Sequence, residues 1–338
     1  MNINAVQFPA IVVMTSLLLL LSLITATATG SVSLAGTEVF DAIFICPFDV
    51  DNCEVSSLYQ RIIWNIRFPR VMMALLTGAG LSITGAILQS VTRNPLADPY
   101  LFGISSGSAL GAVLVLASFS GAIVSVTIGA LLGGMFSVVL MLALAGNAVM
   151  HVERLLLSGV AVSFMLGAFT SLVIYYSDPE TASSLLFWMM GSFSNSEWQN
   201  LILPAVAISV GLLLFIIYRG WINAIQAGDE GAYTLGVPVS QLRLAMLIIC
   251  SIITAVLVAQ VGGIGFVGLM IPHICRFIVG SQLHRVLIMC ILLGGSFMIW
   301  VDVVARSILN EQVLPIGIVT SAIGSLFFFV VLKSNRKR

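Results

Sequence analysis

The sequence is poor in charge. Of its 338 residues only 8% are Asp, Glu, Lys or Arg, whereas soluble domains average about 25%. Lysine is nearly missing, because the only two, Lys333 and Lys337, lie at the extreme C-terminus. With 59% hydrophobic residues and equal numbers of acidic and basic side chains, the composition excludes an ordinary soluble enzyme, a disordered chain and a nucleic-acid-binding protein with a basic surface. It is typical of a protein that lies in a lipid bilayer.

The motifs of common catalytic sites are missing as well. The sequence contains no GxxxxGK(S/T) nucleotide-binding loop, no HExxH and no CxxC. His273 and Cys275 are two residues apart, a spacing that does not place two ligands on one helix face, so we expect no metal site there. Asp302 is the only acidic residue near the interior of an apolar run, and Arg306 is its expected local partner. The lack of a mid-helix acid disfavours a carrier driven by protons or sodium ions.

Long runs without charge predict ten membrane-spanning helices, because about 20 apolar residues cross the hydrocarbon core. The run 99–152 is long enough for two spans, with Gly121 as the expected break. The run 244–275 also exceeds one span, and its Gly-rich stretch interrupts it, with Pro272 starting a new segment. The fold class is therefore all-α, a single polytopic membrane domain over residues 1–338 with some short or broken helices. The expected spans are about 9–30, 71–91, two within 99–152, 155–177, 198–218, 241–261, 265–280, 286–301 and 312–332.

The positions of arginine and lysine predict the orientation, because cytoplasmic loops carry the excess of basic residues. With ten spans, both termini lie on one side of the membrane. If that side is the cytoplasm, ten basic residues lie inside, and only Arg61, Arg67, Arg70 and Arg306 lie outside. We therefore expect cytoplasmic termini, a periplasmic loop at about residues 32–60 and a polar cytoplasmic loop at about residues 219–240.

The first apolar run has a second interpretation. It is followed by Ala26-Thr27-Ala28, which is similar to the cleavage site of a signal peptide. A signal peptide carries a basic segment at its start, whereas the first basic residue here is Arg61. We therefore interpret the run as the first membrane-spanning helix.

Five cysteines do not make a disulfide scaffold. Cys250, Cys275 and Cys290 lie in apolar runs, where a free thiol behaves as a small hydrophobic group. Cys46 and Cys53 lie in the expected periplasmic loop, and an oxidising compartment allows them to form a disulfide. Two unpaired thiols in that loop are an equally good interpretation.

Two motifs place proline at the ends of expected spans. Residues 66–70 read IRFPR and open the second span with two arginines, which either anchor the helix by snorkelling or offer fixed cations to a partner. Residues 89–108 read QSVTRNPLADPYLFGISSGS. A plain turn explains the prolines of this second motif but not its small polar residues. Because non-helical backbone at membrane depth is buried or lines a cavity, the motif favours a constriction or hinge.

A third motif is the long polar interruption at residues 227–238, which read AGDEGAYTLGVP. Two glycines bracket a short helix, and two acidic residues in its first turn suit the helix dipole. Its alanine and leucine, three residues apart, are expected on one face. Because so short a helix is unstable alone, we expect it to dock on a soluble partner. The expected contact residues are Gly228, Asp229, Glu230, Ala232, Leu235 and Gly236.

Together these motifs resemble the permease family of ATP-binding-cassette (ABC) importers for iron–siderophore, haem and cobalamin, the FecCD type. The resemblance covers about residues 10–332. It implies ten helices per subunit, a dimer with a second permease copy or a paralogous permease, two ATPase subunits that bind ATP and Mg²⁺, and a periplasmic substrate-binding protein. The chain itself would bind no cofactor, metal or nucleic acid. The shared stretches are RFPR, GAILQSVTRNPLADPYLFGISSGSALG, FWMMGS, GDEGAYTLGV, GGIGFVGLMIPHICR, DVVAR and LPIGIVTSAIG.

The resemblance also implies roles for single residues. The GDEGAYTLG stretch matches the helices that contact the ATPase. Arg67 and Arg306 match arginines that meet acidic residues on the two lobes of the binding protein, and a cation at a rigid helix end suits such docking. The cytoplasmic gate would be formed by Asn94, Pro95 and Leu96. Small polar residues on the fifth and tenth helices would line the pathway between two subunits, or else serve close helix packing. These residues include Ser163, Thr170, Thr320 and Ser321.

The expected function is transport without covalent chemistry. We expect a transmembrane permease subunit in the bacterial inner membrane that carries a metal chelate, iron(III)-siderophore first, from periplasm to cytoplasm by alternating access. Haem, cobalamin and molybdate or tungstate are alternative cargoes. Two other classes are an ion-coupled carrier, which lacks its mid-helix acid, and a passive channel or structural protein, which the docking and coupling motifs disfavour.

Overall fold

The computed structural model describes residues 7–30, 34–46, 53, 55–118, 123–146, 152–309 and 312–335. These residues are almost entirely helical and include no strand. The α-helices are α1 (Gln7–Ala28), α2 (Gly36–Phe40), α3 (Ser57–Ile62), α4 (Phe68–Thr92), α5 (Ile104–Ser118), α6 (Ile123–Ala145), α7 (Val152–Tyr176), α8 (Pro179–Met189), α9 (Trp198–Ile217), α10 (Arg219–Ala227), α11 (Asp229–Thr234), α12 (Val239–Val261), α13 (Val267–Val279), α14 (Leu283–Ser307) and α15 (Ile316–Asn335).

The all-α membrane fold is confirmed. In the described part of the chain, eight helices are long and apolar enough to cross a membrane, and two shorter apolar helices, α5 and α13, occupy two more of the predicted positions. The expected break at Gly121 lies outside the described residues. The second span is longer than expected, because a wide helical turn, Ile63–Arg67, joins α3 and α4. The ninth is also longer, since α14 extends beyond both ends of the expected run 286–301.

The two ends of the bundle are named here by their landmarks. The terminal face holds the start of α1 and the end of α15, and the disulfide face holds Cys46 and Cys53, which are bonded to each other. At the terminal face, the guanidinium of Arg285 in α14 lies 5.2 Å from the ring of Phe8 in α1. At the disulfide face, Arg306 at the other end of α14 donates to backbone carbonyls at the end of α1. Helices α1 and α14 therefore run parallel.

Helix α4 forms the centre of the bundle, and every residue from Thr77 to Thr92 is buried. Its glycines allow the backbones of neighbouring helices to approach closely, as is common between membrane helices. A Cβ atom added at Gly78 would lie 2.0 Å from the carbonyl oxygen of Gly294 in α14. One added at Gly85 would lie 1.9 Å from the carbonyl oxygen of Gly268 in α13. The packing of α4 thus depends on having no side chain at these positions.

Helices α5 and α13 are too short to span the bilayer. Their 15 and 13 residues correspond to about 20 Å each at 1.5 Å per residue, against a hydrocarbon core of about 30 Å. The irregular segments before them meet, since the Ile264 N–H donates to the Tyr100 hydroxyl at 2.8 Å. The expectation that Pro272 starts a new segment is wrong. Helix α13 begins at Val267, after Phe266 with a φ of 70°, and Pro272 lies inside the helix.

Helix α8, between the fifth and sixth spans, was not expected from the sequence. Its start carries a clear local signal: Pro179 occupies the first turn, and the Asp178 carboxylate accepts the Thr181 N–H at 2.9 Å. Aspartate before proline is a typical helix N-terminus. The helix has only 11 residues, so a search for 20-residue apolar runs does not detect it.

Candidate functional sites at the two faces

The polar segment of the terminal face contains two helices where one was expected. Helix α10 precedes α11, and Gly228 joins them with a φ of 137°. Gly236 follows α11 with a φ of 78°. Residues that carry a side chain rarely adopt backbone conformations with such positive φ angles, so glycine suits both positions. Helix α11 is therefore bounded at each end by a glycine in a conformation that other residues avoid.

The two acidic residues of α11 have different environments. Asp229 is partly buried, and the Nη2 of Arg243 donates to both of its carboxylate oxygens at 3.0 Å. The Nε of Arg93 lies 3.8 Å from Asp229 Oδ1 on another side. Glu230 is exposed. Sequence reasoning did not pair either arginine with Asp229, because Arg93 belongs to a distant part of the chain and Arg243, 14 residues on, lies in the next helix.

The expectation that Ala232 and Leu235 share one face is wrong. Ala232 is fully buried, whereas Leu235 is 75% exposed. Tyr233 is also exposed. We name three of the solvent-facing side chains of this segment, Glu230, Tyr233 and Leu235, the α11 surface. An exposed leucine and tyrosine beside a carboxylate form a surface that a protein partner can cover.

The turn that follows α4 holds the expected gate residues. Arg93 ends the helix in a left-handed conformation with a φ of 49°. The Leu96 N–H then donates to Asn94 Oδ1 at 2.9 Å, which closes a tight turn around the exposed Pro95. Leu96 itself is 57% exposed. The turn therefore presents an apolar side chain at its tip, on the same face as α11.

Asp98, two residues beyond this turn, is a buried carboxylate that sequence reasoning did not select. Its Oδ1 accepts the Tyr100 N–H at 2.7 Å. Burial raises the pKa of Asp98 to about 6, although the hydrogen bond from Tyr100 lowers it. The signal was available in the sequence, since Asp followed by Pro99 favours the start of a helical turn, and Pro99–Phe102 forms one.

A buried polar network joins α4 to α13. Because Pro272 has no N–H, the carbonyl of Gly268, four residues earlier, lacks its helical donor. Gln89 Nε2 takes that place and donates to Gly268 O at 3.2 Å. Arg276 donates to Gln89 Oε1, and its Nη2 donates to Ala86 O at 3.2 Å. The proline thus creates an acceptor that the central helix uses.

The two arginines expected to dock a partner are not free surface cations. Arg67 is only 7% exposed, and its Nη1 donates to Thr27 O at 3.1 Å and Ala28 O at 2.8 Å. Arg306 donates to Ala26 O and Thr29 O. Both guanidinium groups therefore occupy the carbonyls that end α1, where a helix lacks donors. The expected exposure is wrong, and the docking role stays a prediction.

Asp302 lies between two arginines, of which the sequence analysis predicted one. The expected pair with Arg306 is confirmed, with Arg306 Nε 3.2 Å from Asp302 Oδ2. Arg70 adds a second partner, because its Nε and Nη2 donate to Asp302 Oδ1 at 2.9 and 2.8 Å. Asp302 is 1% exposed, so this is a buried ionic network that fastens α4 to α14.

The expected pathway residues do not share one exposed surface of the chain. Thr170 and Thr320 are buried, and each hydroxyl donates to a carbonyl of its own helix. Ser163 is half-buried, and Ser321 is exposed. The two threonines are thus placed for helix packing. The exposed sides of α7 and α15 instead carry large apolar groups, including Phe164, Phe169, Leu326 and Phe329.

Comparison with known proteins relates the whole chain to membrane transporters. A family model described as the FecCD transport family matches residues 17–334. The chain is 38% identical to the cobalamin import system permease protein BtuC of Halobacterium salinarum over 82% of this chain and 75% of that protein. It is 37% identical, over 84% and 86% respectively, to a Helicobacter pylori protein described as an iron chelatin transport system permease. A solved structure described as an inward-facing metal-chelate type ABC transporter superposes with a TM-score of 0.85 at 30% identity, covering 96% of this chain and 99% of that one.

Proposed function

Because the chain belongs to the FecCD transport family and is a multi-pass membrane permease of the ABC importer type, we propose that it moves an iron(III)-siderophore from periplasm to cytoplasm in a bacterial inner membrane. The chain itself performs no covalent chemistry in this proposal. Two partner ATPase subunits bind ATP and Mg²⁺ and supply the energy. Haem, cobalamin, molybdate and tungstate are the other candidate cargoes.

The α11 surface is the observation that carries the proposal. It exposes Tyr233 and a 75% exposed Leu235 on a helix of six residues, which has little stability of its own. Tyrosine is enriched among the residues that carry binding energy at the centre of protein interfaces, and the exposed leucine adds apolar area that a partner would remove from water. We assign this surface to the ATPase subunit, so that the terminal face, with the start of α1 and the end of α15, lies in the cytoplasm. The excess of basic residues predicted for this side supports the same orientation.

The sides of α7 and α15 support a bulky cargo. Between Leu155 and Tyr176, and between Ile316 and Leu332, neither helix contains an acidic or basic residue. Their exposed phenylalanines and leucines would face a second permease copy, so that a conduit forms between the two subunits. An uncharged conduit offers weak, non-directional contacts, which suits a large chelate that must not be held tightly. The assignment to siderophore iron in particular rests on the similarity to the Helicobacter pylori permease.

Proteoliposomes test this proposal directly. We expect the chain, reconstituted with its ATPase and binding protein, to accumulate radiolabelled iron–siderophore when ATP is present, and the chain alone to accumulate none. Haem, cobalamin and molybdate supplied with the same binding protein should not accumulate. ATP-dependent uptake of one of these instead would overturn the siderophore assignment, and uptake by the chain alone would overturn the permease assignment.

A matched pair of variants tests the surface that carries the proposal. Leu235→Asp puts a charge into the proposed apolar contact, so we expect the purified chain to lose at least ten-fold in affinity for the ATPase subunit. Leu58→Asp is the control, because Leu58 is 63% exposed but lies on the disulfide face. Equal affinities for the ATPase in the two variants would contradict the assignment of the α11 surface.

A further inference from the structure

We propose that Arg243 is a positioning residue that transmits the movement of α11 to α4, through a link formed by Arg93, Asp229 and Arg243. The proposal rests on the proposed function, because it takes α11 as the element that the ATPase moves. It goes further in naming the side chains that connect that element to the membrane-spanning helices.

Arg243 is a buried cation at the meeting point of three helix ends. The residue is 1% exposed and lies in the second turn of α12. Its Nη2 donates to both carboxylate oxygens of Asp229 at 3.0 Å, and its Nε donates to Val91 O at 2.9 Å. Val91 belongs to the last turn of α4, whose carbonyls have no donor within the helix. One guanidinium group therefore binds the start of α11 and the end of α4 at once.

Arg93 extends the same link to the gate turn. Its Nε lies 3.8 Å from Asp229 Oδ1, and its backbone, in the left-handed conformation, immediately precedes the turn at Asn94, Pro95 and Leu96. A shift of the Asp229 carboxylate thus acts on the end of α4 at two points. Arg243 passes the shift to the Val91 carbonyl, and Arg93 passes it to its own backbone, next to the turn.

The covalent connections of α11 explain why such a link is required. Gly228 and Gly236 flank the helix with φ angles of 137° and 78°, and glycine has the widest conformational freedom of any residue. Both connections can therefore act as hinges. Ala232 is the buried side chain of α11, and its single methyl group makes only a small apolar contact with the rest of the bundle. The ionic hydrogen bonds of Asp229 are directional and stronger than neutral ones, so they couple α11 to α4 more firmly than its flanking backbone does.

The same geometry assigns different tasks to the two acidic residues of α11. The Asp229 carboxylate is occupied by arginines of its own chain, whereas Glu230 is exposed on the α11 surface. Neutralising Asp229 is therefore expected to leave ATPase binding intact and to break the transmission of movement. A residue that only stabilised the fold would lower ATP hydrolysis and uptake together, while a transmitting residue changes their ratio.

The test measures uptake per ATP hydrolysed in proteoliposomes that contain the chain, its ATPase and its binding protein. For Arg243→Gln and Asp229→Asn we expect ATP hydrolysis within about two-fold of the unmodified complex and at least a ten-fold fall in cargo transported per ATP. Arg243→Lys keeps the positive charge and should recover part of the ratio. The double variant should be no worse than either single variant, because both remove one link. Arg154→Gln and Glu153→Gln are the controls, since both residues are exposed on the terminal face, and they should keep the original ratio.

Each outcome decides a separate question. If the unmodified complex shows no ATP-driven uptake, the proposed function fails, and this inference fails with it. If the unmodified complex transports while Asp229→Asn and Arg243→Gln keep its ratio, the link alone is refuted. If the buried Arg243→Gln does not fold, the partly exposed Asp229→Asn decides alone, and an unchanged ratio in that variant overturns the proposal.

Discussion

Replacing Gly85 by alanine tests the packing of the central helix. The added Cβ would lie 1.9 Å from the carbonyl oxygen of Gly268, and 2.6 and 2.7 Å from the carbonyl carbon and Cα of the same residue. All three atoms are backbone, so no side chain can rotate away to make room. Since ordinary contact begins at 3.4 Å, α4 and α13 must separate by more than an ångström. Such a separation also loosens the contact between Gln89 and Gly268.

The expected cost is the balance of two terms. Alanine in a helix interior is favoured over glycine by about 1 kcal/mol. Overpacking a tight contact typically costs about 1–3 kcal/mol, and a clash with immovable backbone belongs at or above the upper end of that range. We therefore expect a net loss of about 2 kcal/mol. The shift is about 2–4 °C per kcal/mol for domains of 150–250 residues and smaller for longer chains, so for these 338 residues we expect a fall in melting temperature of about 3–5 °C.

The chain contains its own reporters for this measurement. Cys250, Cys275 and Cys290 are free and buried, while Cys46 and Cys53 are joined in a disulfide, so a thiol-reactive fluorescent dye responds when the bundle opens. Gly220→Ala is the matched control, because nothing lies within 4 Å of its added Cβ, and its melting temperature should stay the same or rise. A Gly85→Ala melting temperature equal to that of the control would refute the reasoning.

Two further predictions concern buried charges. Because burial raises the pKa of Asp98 to about 6, the folded chain keeps a proton that the unfolded chain releases near pH 4. Retention of this proton contributes to the free energy of unfolding. The contribution is fully present below about pH 4 and is lost as the pH rises through about 6. Asp98→Asn should remove this pH dependence of stability and should be more stable than the unmodified chain at pH 7 by about 3 kcal/mol. Melting followed by tryptophan fluorescence from pH 4 to 8 measures the difference. Parallel pH profiles for the two proteins would contradict the prediction. Arg306→Glu should lower the melting temperature sharply, since it removes the bonds to the end of α1 and sets a second carboxylate beside Asp302, a change of about 3–5 kcal/mol for a broken buried pair. Arg61→Glu, at an exposed arginine on the same face, should not, and equal melting temperatures would show that Arg306 does not hold α1.

The spans were predictable because the membrane imposes a simple length rule. Charge-free runs located α4, α7, α9 and α12 within a few residues, and the Gly-rich stretch before Val267 marked the break in front of α13. The short helix at Asp229 followed from its two flanking glycines. Each of these features depends on residues that are neighbours in the sequence, so local chemistry is sufficient to find them.

Two of the failures concern contacts between residues far apart in the chain, and the third concerns the end of a short helix. Arg67 was expected at the surface, but the end of α1 supplies carbonyls that bury it. Pro272 was expected to start a helix, and instead Gln89 satisfies the carbonyl that the proline leaves open. Ala232 and Leu235 were expected on one face, but Ala232 is buried whereas Leu235 follows the last residue of α11 and is exposed. For Arg67 and Pro272 the deciding partner comes from another helix, which a reading of one segment does not include.

The attachment of α1 has a consequence for biosynthesis. Its main packing partner, α14, begins at Leu283, about 250 residues after α1 ends. At about 5–20 residues per second, roughly 10 to 50 seconds pass between the insertion of the two helices. During that interval α1 must persist in the lipid without α14. It has no charged residue and a mean hydropathy of 2.3, so it is stable in the lipid on its own. Of the two arginines that bind the carbonyls at the end of α1, Arg67 emerges soon after that helix, and Arg306 completes the attachment only when synthesis is nearly finished.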